Sequence, residues 1–322
     1  MLITGSAVLI VGTTANTGSA GNIWYNTTTN ALNYAYLSPA AWSTGGALNT
    51  ARMSIAGAGT QNAALAFGGK YCPYDGTGKS CTEEYNGISW TVVTPLNIPN
   101  EALGGVGTQN AALAIGGYCS YTKLSCTQEY DGSTWSGGGN LIYGVRNLAA
   151  AGTQNAAVKF GGSICGNNKS TCTEEYDGSS WSSGGALSAG VYQLGGLGTQ
   201  NAALAFGGNT CATACSNCTE EYDGTAWTNG GAMIAGRRYL AGAGTQNAAL
   251  AFGGQGCSVC SSTEEYNGTS WSTGTSLSTA RYNLGGAGSQ NAALAFGGNC
   301  IPTRLSCTEA YNNPGPICIG CV

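Results

Sequence analysis

Short apolar runs separated by polar turn formers organise this chain. In one stretch, the small apolar residues Ala102–Gly107 give way to Thr108-Gln109-Asn110, and an apolar run resumes over Ala111–Ile115. Runs of four to six such residues bounded by turn formers predict strand–turn–strand. Gly116-Gly117 and a variable stretch follow, then TQEY (Thr127–Tyr130), the tight-turn dipeptide Asp131-Gly132, and a segment carrying Trp135. Each unit therefore predicts four antiparallel strands.

The unit recurs six times. Its leading phrase, GTQNAALAFGG with small variations, starts at Gly59, Gly107, Gly152, Gly198, Gly244 and Gly288, at spacings of 48, 45, 46, 46 and 44 residues. A period in this range belongs to propeller blades or solenoid units, and four antiparallel strands per unit predict a blade. Gly and Ala suit inner strands that converge on an axis; Tyr and Trp supply the bulk that diverging outer strands need. The aromatic spacing is constant: Tyr85/Trp90, Tyr130/Trp135, Tyr176/Trp181, Tyr222/Trp227 and Tyr266/Trp271. These rings are expected to pack between blades.

The sixth unit stops after Tyr311, and its continuation, NNPGPICIGCV, has no Trp. The missing strand is at the other end, where Trp42-Ser43-Thr44-Gly45-Gly46 matches Trp181-Ser182-Ser183-Gly184-Gly185. The expected fold is all-β: a six-bladed propeller of four-stranded antiparallel blades, closed by an N-terminal strand that completes the last blade and removes open sheet edges. Ahead of it, GNIWYNTTTNALNYAYL (Gly21–Leu37) predicts a hairpin outside the repeat. The expected division is 1–37 as an attachment segment and 38–322 as propeller; the alternative has the N-terminal strand packed on its own propeller.

The apolar run ending in a Gly-Gly pair (Gly68-Gly69, Gly116-Gly117, Gly161-Gly162, Gly207-Gly208, Gly253-Gly254, Gly297-Gly298), followed by spaced Tyr and Trp, resembles the kelch family over about residues 42–312. That resemblance implies fold rather than activity, because one fold hosts many functions. The GNIWYN phrase resembles a short module of bacteriophage tail-fibre and other virion proteins. The blades, with GTQ…ALAFGG and TEEYNG-x-S-W, are similar to those of marine phage proteins.

Composition narrows the classes. Charged residues make up 8% of the chain and the net charge is −4, so neither nucleic acid nor a polybasic membrane contact is expected. The apolar runs are too short to span a bilayer, and MLITGSAVLIVG lacks the basic start of a secretory leader. Fifteen cysteines at paired spacings point to an oxidising location, at a virion surface or outside a cell. The expected disulfides are Cys72–Cys81, Cys119–Cys126, Cys165–Cys172, Cys211–Cys218, Cys257–Cys260, Cys300–Cys307 and Cys318–Cys321, with Cys215 left over. Zinc at Cys257/Cys260 and Cys318/Cys321 is the alternative; with no His in the chain, disulfides are preferred.

In a propeller, the two-to-three and four-to-one connections share one face. The two-to-three loops vary strongly here, while the opposite turns barely change. Variable loops on a rigid scaffold are where binding concentrates, against the alternative of unconstrained drift. The candidate ligand contacts are Tyr71, Tyr74, Asp75, Lys79, Tyr118, Tyr121, Lys123, Asn167, Lys169 and Arg304. Without His, the commonest general base is missing. The repeated carboxylates Glu84, Glu129, Glu175, Glu221 and Glu265 are expected to be structural, pairing with Arg52, Arg146, Arg238 and Arg281. Asp75 and Glu101 are the acids outside the pattern, the pair a glycosidase would need. The expectation is therefore a non-enzymatic virion surface protein, a phage tail fibre or receptor-binding adhesin with no cofactor. Its loop face would bind a host glycan or surface protein, and its N-terminal segment would bind other virion proteins. The rivals are a decoration or filament subunit making self-contacts as a homo-oligomer and, third, a polysaccharide-active enzyme.

Overall fold

A computed structural model describes residues 9–12, 23–26, 31–37, 39–71, 77–164, 168–210, 212–314 and 316–321. For 9–12, 23–26, 31–37 and 316–321 it gives the backbone alone. Every regular element among them is a strand, and six four-stranded antiparallel sheets repeat one topology. Blade 1 comprises Ala56–Thr60, Ala63–Phe67, Thr82–Tyr85 and Trp90–Val93. Blade 2 comprises Gly104–Thr108, Ala111–Ile115, Thr127–Tyr130 and Trp135–Gly137. Blade 3 comprises Ala149–Thr153, Ala156–Phe160, Thr173–Tyr176 and Trp181–Ser183. Blade 4 comprises Gly195–Thr199, Ala202–Phe206, Thr219–Tyr222 and Trp227–Asn229. Blade 5 comprises Ala241–Thr245, Ala248–Phe252, Thr263–Tyr266 and Trp271–Gly274. Blade 6 comprises Gly285–Gly288, Ala292–Phe296 and Thr308–Asn312, with Ala41–Gly45 as its outer strand. This is a six-bladed β-propeller closed by the N-terminal strand.

The invariant phrase is explained by contacts between blades. Its Gln side chain donates to two carbonyls of the preceding blade: Gln109 to Ala64 and Tyr85, and Gln246 to Ala203 and Tyr222. Gln61 makes the same contact across the closure, with Ala293 and Tyr311. Each of the six blade Trp indole N–H groups donates to the first Thr of the preceding blade's third strand, as in Trp135 to Thr82 at 3.2 Å and Trp271 to Thr219 at 3.0 Å. Trp42 follows the rule, reaching Thr263 at 3.1 Å and packing 5.0 Å from Tyr311, ring centre to ring centre. Burying the apolar rings while satisfying their single donor is the usual solution for Trp in a core.

The Gly-Gly pair has a backbone task. Gly68 and Gly69 adopt φ of +69° and +95°, and Gly69 N–H donates to Asn100 O of the next blade at 2.8 Å. A Cβ on Gly69 would lie 2.9 Å from Met53 O. Near the axis, a Cβ on Gly57 would lie 2.6 Å from Gly286 O, so the first strands of blades 1 and 6 approach too closely for any side chain there.

The carboxylates are arranged differently from expectation. The second-position residues Glu84, Glu129, Glu175, Glu221 and Glu265 accept from Tyr hydroxyls of the following blade: Tyr130, Tyr176, Tyr222, Tyr266 and Tyr311. The arginines pair with the first-position acids instead: Arg52 with Glu83 at 2.7 Å, Arg237 (not Arg238) with Glu264 at 2.8 Å, and Arg281 with Glu309 at 2.5 Å. The reason is side-chain alternation. The first of the two positions after the leading Thr is buried between blades, whereas the second is partly exposed. The same buried position is solved four ways: beside the Arg–Glu pairs, blade 4 has Val191 in place of Arg and leaves Glu220 accepting from Ser188 N–H at 2.9 Å. Blade 3 has Val145 in place of Arg and supplies Lys159, 2.7 Å from Glu174. Blade 2 has Asn100 and Gln128, both neutral.

The remaining strands form a second sheet, described by itself. Ile23–Asn26 and Ala31–Leu37 make the expected hairpin, Leu9–Gly12 pairs parallel to the first of these, and Pro316–Cys321 antiparallel to the second. The compact units are therefore 1–41 with 312–322, and 42–311. The expected boundary at the C-terminus shifts, because residues after Tyr311 pair with the hairpin.

Candidate functional site

The first residues of each blade and its two-to-three connection pair across one face, so the expected common face exists. The equivalent pairs are Met53 with Lys70, Glu101 with Tyr118, Arg146 with Ser163, Tyr192 with Asn209, Arg238 with Gln255 and Tyr282 with Asn299. Together they line an axial funnel of about 460 Å³. That is a fitting size for a small ligand or the terminus of a larger one.

At the throat is a ring without counterpart in the sequence pattern. Ser54, Ala102, Asn147, Gln193, Tyr239 and Asn283 occupy one equivalent position in each blade, all with φ between 54° and 62°. Each amide donates to the carbonyl of the preceding member, Ala102 to Ser54 and on around to Ser54 to Asn283, at 2.7 to 3.0 Å. The ring thus consumes the backbone groups and fixes the left-handed conformation. Without Gly, that conformation costs about 1–2 kcal/mol per residue, less for Asn. The chain has 54 glycines, yet none stands at any of these six positions. The position after the ring is uniformly Ile or Leu and packs inward; the ring residues and those preceding them differ from blade to blade.

Four tyrosines line the funnel among the described residues: Tyr118, Tyr192, Tyr239 and Tyr282. Three have their hydroxyls held from behind by an amide: Tyr192 by Asn209 at 3.4 Å, Tyr282 by Asn299 at 2.6 Å, and Tyr239 by Gln193. Each such oxygen accepts, so its proton remains for donation. Burial pushes the Tyr239 phenol above its ordinary range, which keeps it a donor at neutral pH. The charged lining is Lys70, Glu101, Arg146 and Arg238. Lys70 and Glu101 form an ion pair at 2.6 Å. The Arg146 guanidinium stacks 4.4 Å from the Tyr118 ring centre, and Arg238 lies 5.5 Å from that of Tyr239.

Of the seven expected contact residues that are described, Tyr118 alone lines the funnel. Lys123 donates to Ile164 O, and Lys169 to Asn209 Oδ1 at 2.7 Å and to Thr210 O, so both tie neighbouring blades. Tyr71 and Lys79 stack together at 5.1 Å, Tyr121 projects at a hairpin tip, 76% exposed, and Arg304 bonds locally to Pro302 O at 2.8 Å. Tyr74, Asp75 and Asn167 lie outside the described residues. Glu101, the candidate acid, is engaged by Lys70, and its expected partner Asp75 is undescribed. The funnel residues the sequence reading missed carried one signal. Aligning the six units on the Leu or Ile before the first strand exposes two adjacent variable columns: Met53/Glu101/Arg146/Tyr192/Arg238/Tyr282 and the ring itself.

The disulfide expectation is corrected where both members are described. Cys119, Cys126, Cys257, Cys260, Cys300 and Cys307 are free thiols. In blades 2 and 6 a tight hairpin sets Cys119 opposite Thr122 and Cys300 opposite Thr303. Cys126 and Cys307 sit further down, where their carbonyls accept from Gly116 and Gly297. The cysteines therefore stand at different levels of the hairpin rather than across from one another. In blade 5 the position equivalent to Cys81 and Cys126 is Ser262, so Cys260 is out of step with the other blades. Cys81, Cys172 and Cys218 are free thiols as well, their expected partners Cys72, Cys165 and Cys211 lying outside the described residues. The side chains of Cys318 and Cys321 are also outside them. Cys215, the odd one, contacts Gln255 O of the next blade at 3.5 Å.

Neither any family model nor any curated protein sequence matches this chain.

Proposed function

We propose that this chain is a non-enzymatic recognition protein of a virion surface, kelch-like in its blades and of the phage tail-fibre or receptor-binding kind. In this reading the axial funnel engages a host-surface glycan or protein, and the sheet formed by the two chain ends binds other virion proteins. The observation that supports it is the throat ring: six left-handed backbone positions that Gly would occupy at lower cost carry six side chains of five types instead. Strain retained against an available remedy is characteristic of functional positions. The concentration of amides, phenols and stacked arginines around it suits a polar, ring-shaped ligand.

The test exploits that strain. Replacing Asn147, Gln193, Tyr239 and Asn283 together by Gly is expected to hold or raise the melting temperature while abolishing retention on a glycan array or on host cells. A Gly variant that binds as well as the parent would refute the reading. A second reading, a decoration or filament subunit, draws on the exposed apolar side chains Ile88, Val92, Ile142, Tyr143 and Ile234. Electron microscopy of the source particle separates the two: isolated fibre tips support recognition, a continuous lattice supports self-assembly.

A further inference from the structure

We infer that the funnel selects a carboxylate-bearing sugar, an inference that rests on the recognition reading above and names its ligand class. The chain as a whole is acidic, at −4, yet among the described residues the funnel lining holds three cations and one carboxylate. Lys70 and Glu101 neutralise each other at 2.6 Å, while the Arg238 guanidinium faces no carboxylate among the described residues.

The neutral groups reinforce that sign. The amide nitrogens of Asn209, Gln193 and Asn299 donate to the oxygens of Tyr192, Tyr239 and Tyr282, leaving the phenol protons for donation, while Gln193 Oε1 and Asn299 Oδ1 have no partner among the described residues. A lining of phenol protons and guanidinium groups complements an anion with several oxygens, because hydrogen bonds to an ionised acceptor are the strong ones. The Nε of Arg238 is buried without a partner, as are those of the core residues Arg52 and Arg237, but Arg238 lines the funnel. The guanidinium planes of Arg146 and Arg238 are held against tyrosine rings, so their orientation is set before any ligand arrives. Tyrosine faces and a volume of about 460 Å³ fit one or two pyranose rings better than a bare inorganic anion. The chemistry is that of a uronic or sialic acid, free or as a glycan terminus.

The experiment compares methyl β-D-glucuronide with its methyl ester, and N-acetylneuraminic acid with its methyl ester, by isothermal titration on the intact protein. The acids are expected to bind at least ten-fold more tightly than their esters, with affinity falling as salt rises. Arg238→Gln is expected to erase the acid-over-ester preference while leaving the melting temperature within a degree or two. Tyr282→Phe should weaken both ligands alike. Equal binding of acid and ester by the parent protein overturns the charge assignment while leaving glycan recognition intact. Binding of none of the four ligands overturns this inference, and loss of glycan-array retention in parallel would take the recognition reading with it. Comparing free sugars with glycans that end in the same acid then separates the two sources.

Discussion

Replacing Arg237 by Asn leaves Glu264 enclosed and without its cation. Arg237 is fully buried; it donates to Gly253 O at 2.9 Å, Ser262 O at 2.7 Å and Glu264 at 2.8 Å. Removing one partner of such a pair costs about 3–5 kcal/mol, chiefly because the other charge stays buried. At roughly 2 °C per kcal/mol for a body of this size, the melting temperature should fall by about 6–10 °C. Blade 2 shows how the loss can be offset. There Asn100 donates to Gly116 O, the equivalent of Gly253 O, and Gln128 both accepts from Ile98 N at 3.0 Å and donates to Ile98 O at 3.2 Å. The double variant Arg237→Asn with Glu264→Gln copies that arrangement. It should lose only about 1–2 kcal/mol, the remainder reflecting the smaller side chain in a packed site. A double-mutant cycle followed by tryptophan fluorescence on heating should therefore give a coupling of about 2 kcal/mol or more. Additivity within about 0.5 kcal/mol would show that the paired substitution in blade 2 is not compensatory, and the reasoning would fail.

Other expectations are testable on the same protein. Tyr222→Phe removes a hydrogen bond to ionised Glu175 and should destabilise by about 1.5–3 kcal/mol, whereas Tyr85→Phe should be nearly neutral because Ala310 stands where the other blades have Glu. Burial and the bond to Glu175 push the Tyr222 phenol up to about 12, so the stability it contributes is present below pH 10 and is lost as pH rises through about 12; absorbance titration of tyrosinate reads this directly. The Asp177 carboxyl, held down to about 2 by the amides of Ser180 and Ser179, gives its contribution above pH 3.8 and loses it as pH falls toward 2; carbon NMR should place its midpoint there. Asp177→Asn should remove that titration without unfolding, since Asn86 and Asn267 make the same turn. Burial raises the Cys126 thiol, so iodoacetamide should label it more slowly than exposed Cys257; recovery of either in a Cys119–Cys126 or Cys257–Cys260 disulfide by peptide mapping would contradict the free thiols found here.

Periodicity made the blades, their strand count and the closure by Trp42 readable in advance. Each of these is a local pattern repeated six times, and repetition turns weak strand signals into a strong one. The partners of those residues were less accessible. Arg52 and Arg281 were recognised as ion-pair formers, but alternation within the third strand, and hence the choice of Glu83 and Glu309, emerges only when neighbouring blades are stacked. The cysteine spacing suggested bridges, whereas hairpin register, set by where the chain turns, placed Thr122 and Thr303 opposite Cys119 and Cys300.

The site divides along the same line. That one face would carry the variation followed from propeller connectivity and from loop sequences that differ while the opposite turns do not. Loop length and polarity, however, drew attention to the outer tips such as Tyr121 and Arg304. The funnel is built from the short segment just before each first strand, where Arg146, Tyr192, Arg238 and Tyr282 converge. A left-handed backbone at Gln193 or Tyr239 has no signature in one-dimensional sequence, since it is imposed by six amides and six carbonyls closing into a circle. Repeats encode the blade because a blade is local; the circle exists only after six blades meet around an axis, and with it the chemistry at its centre.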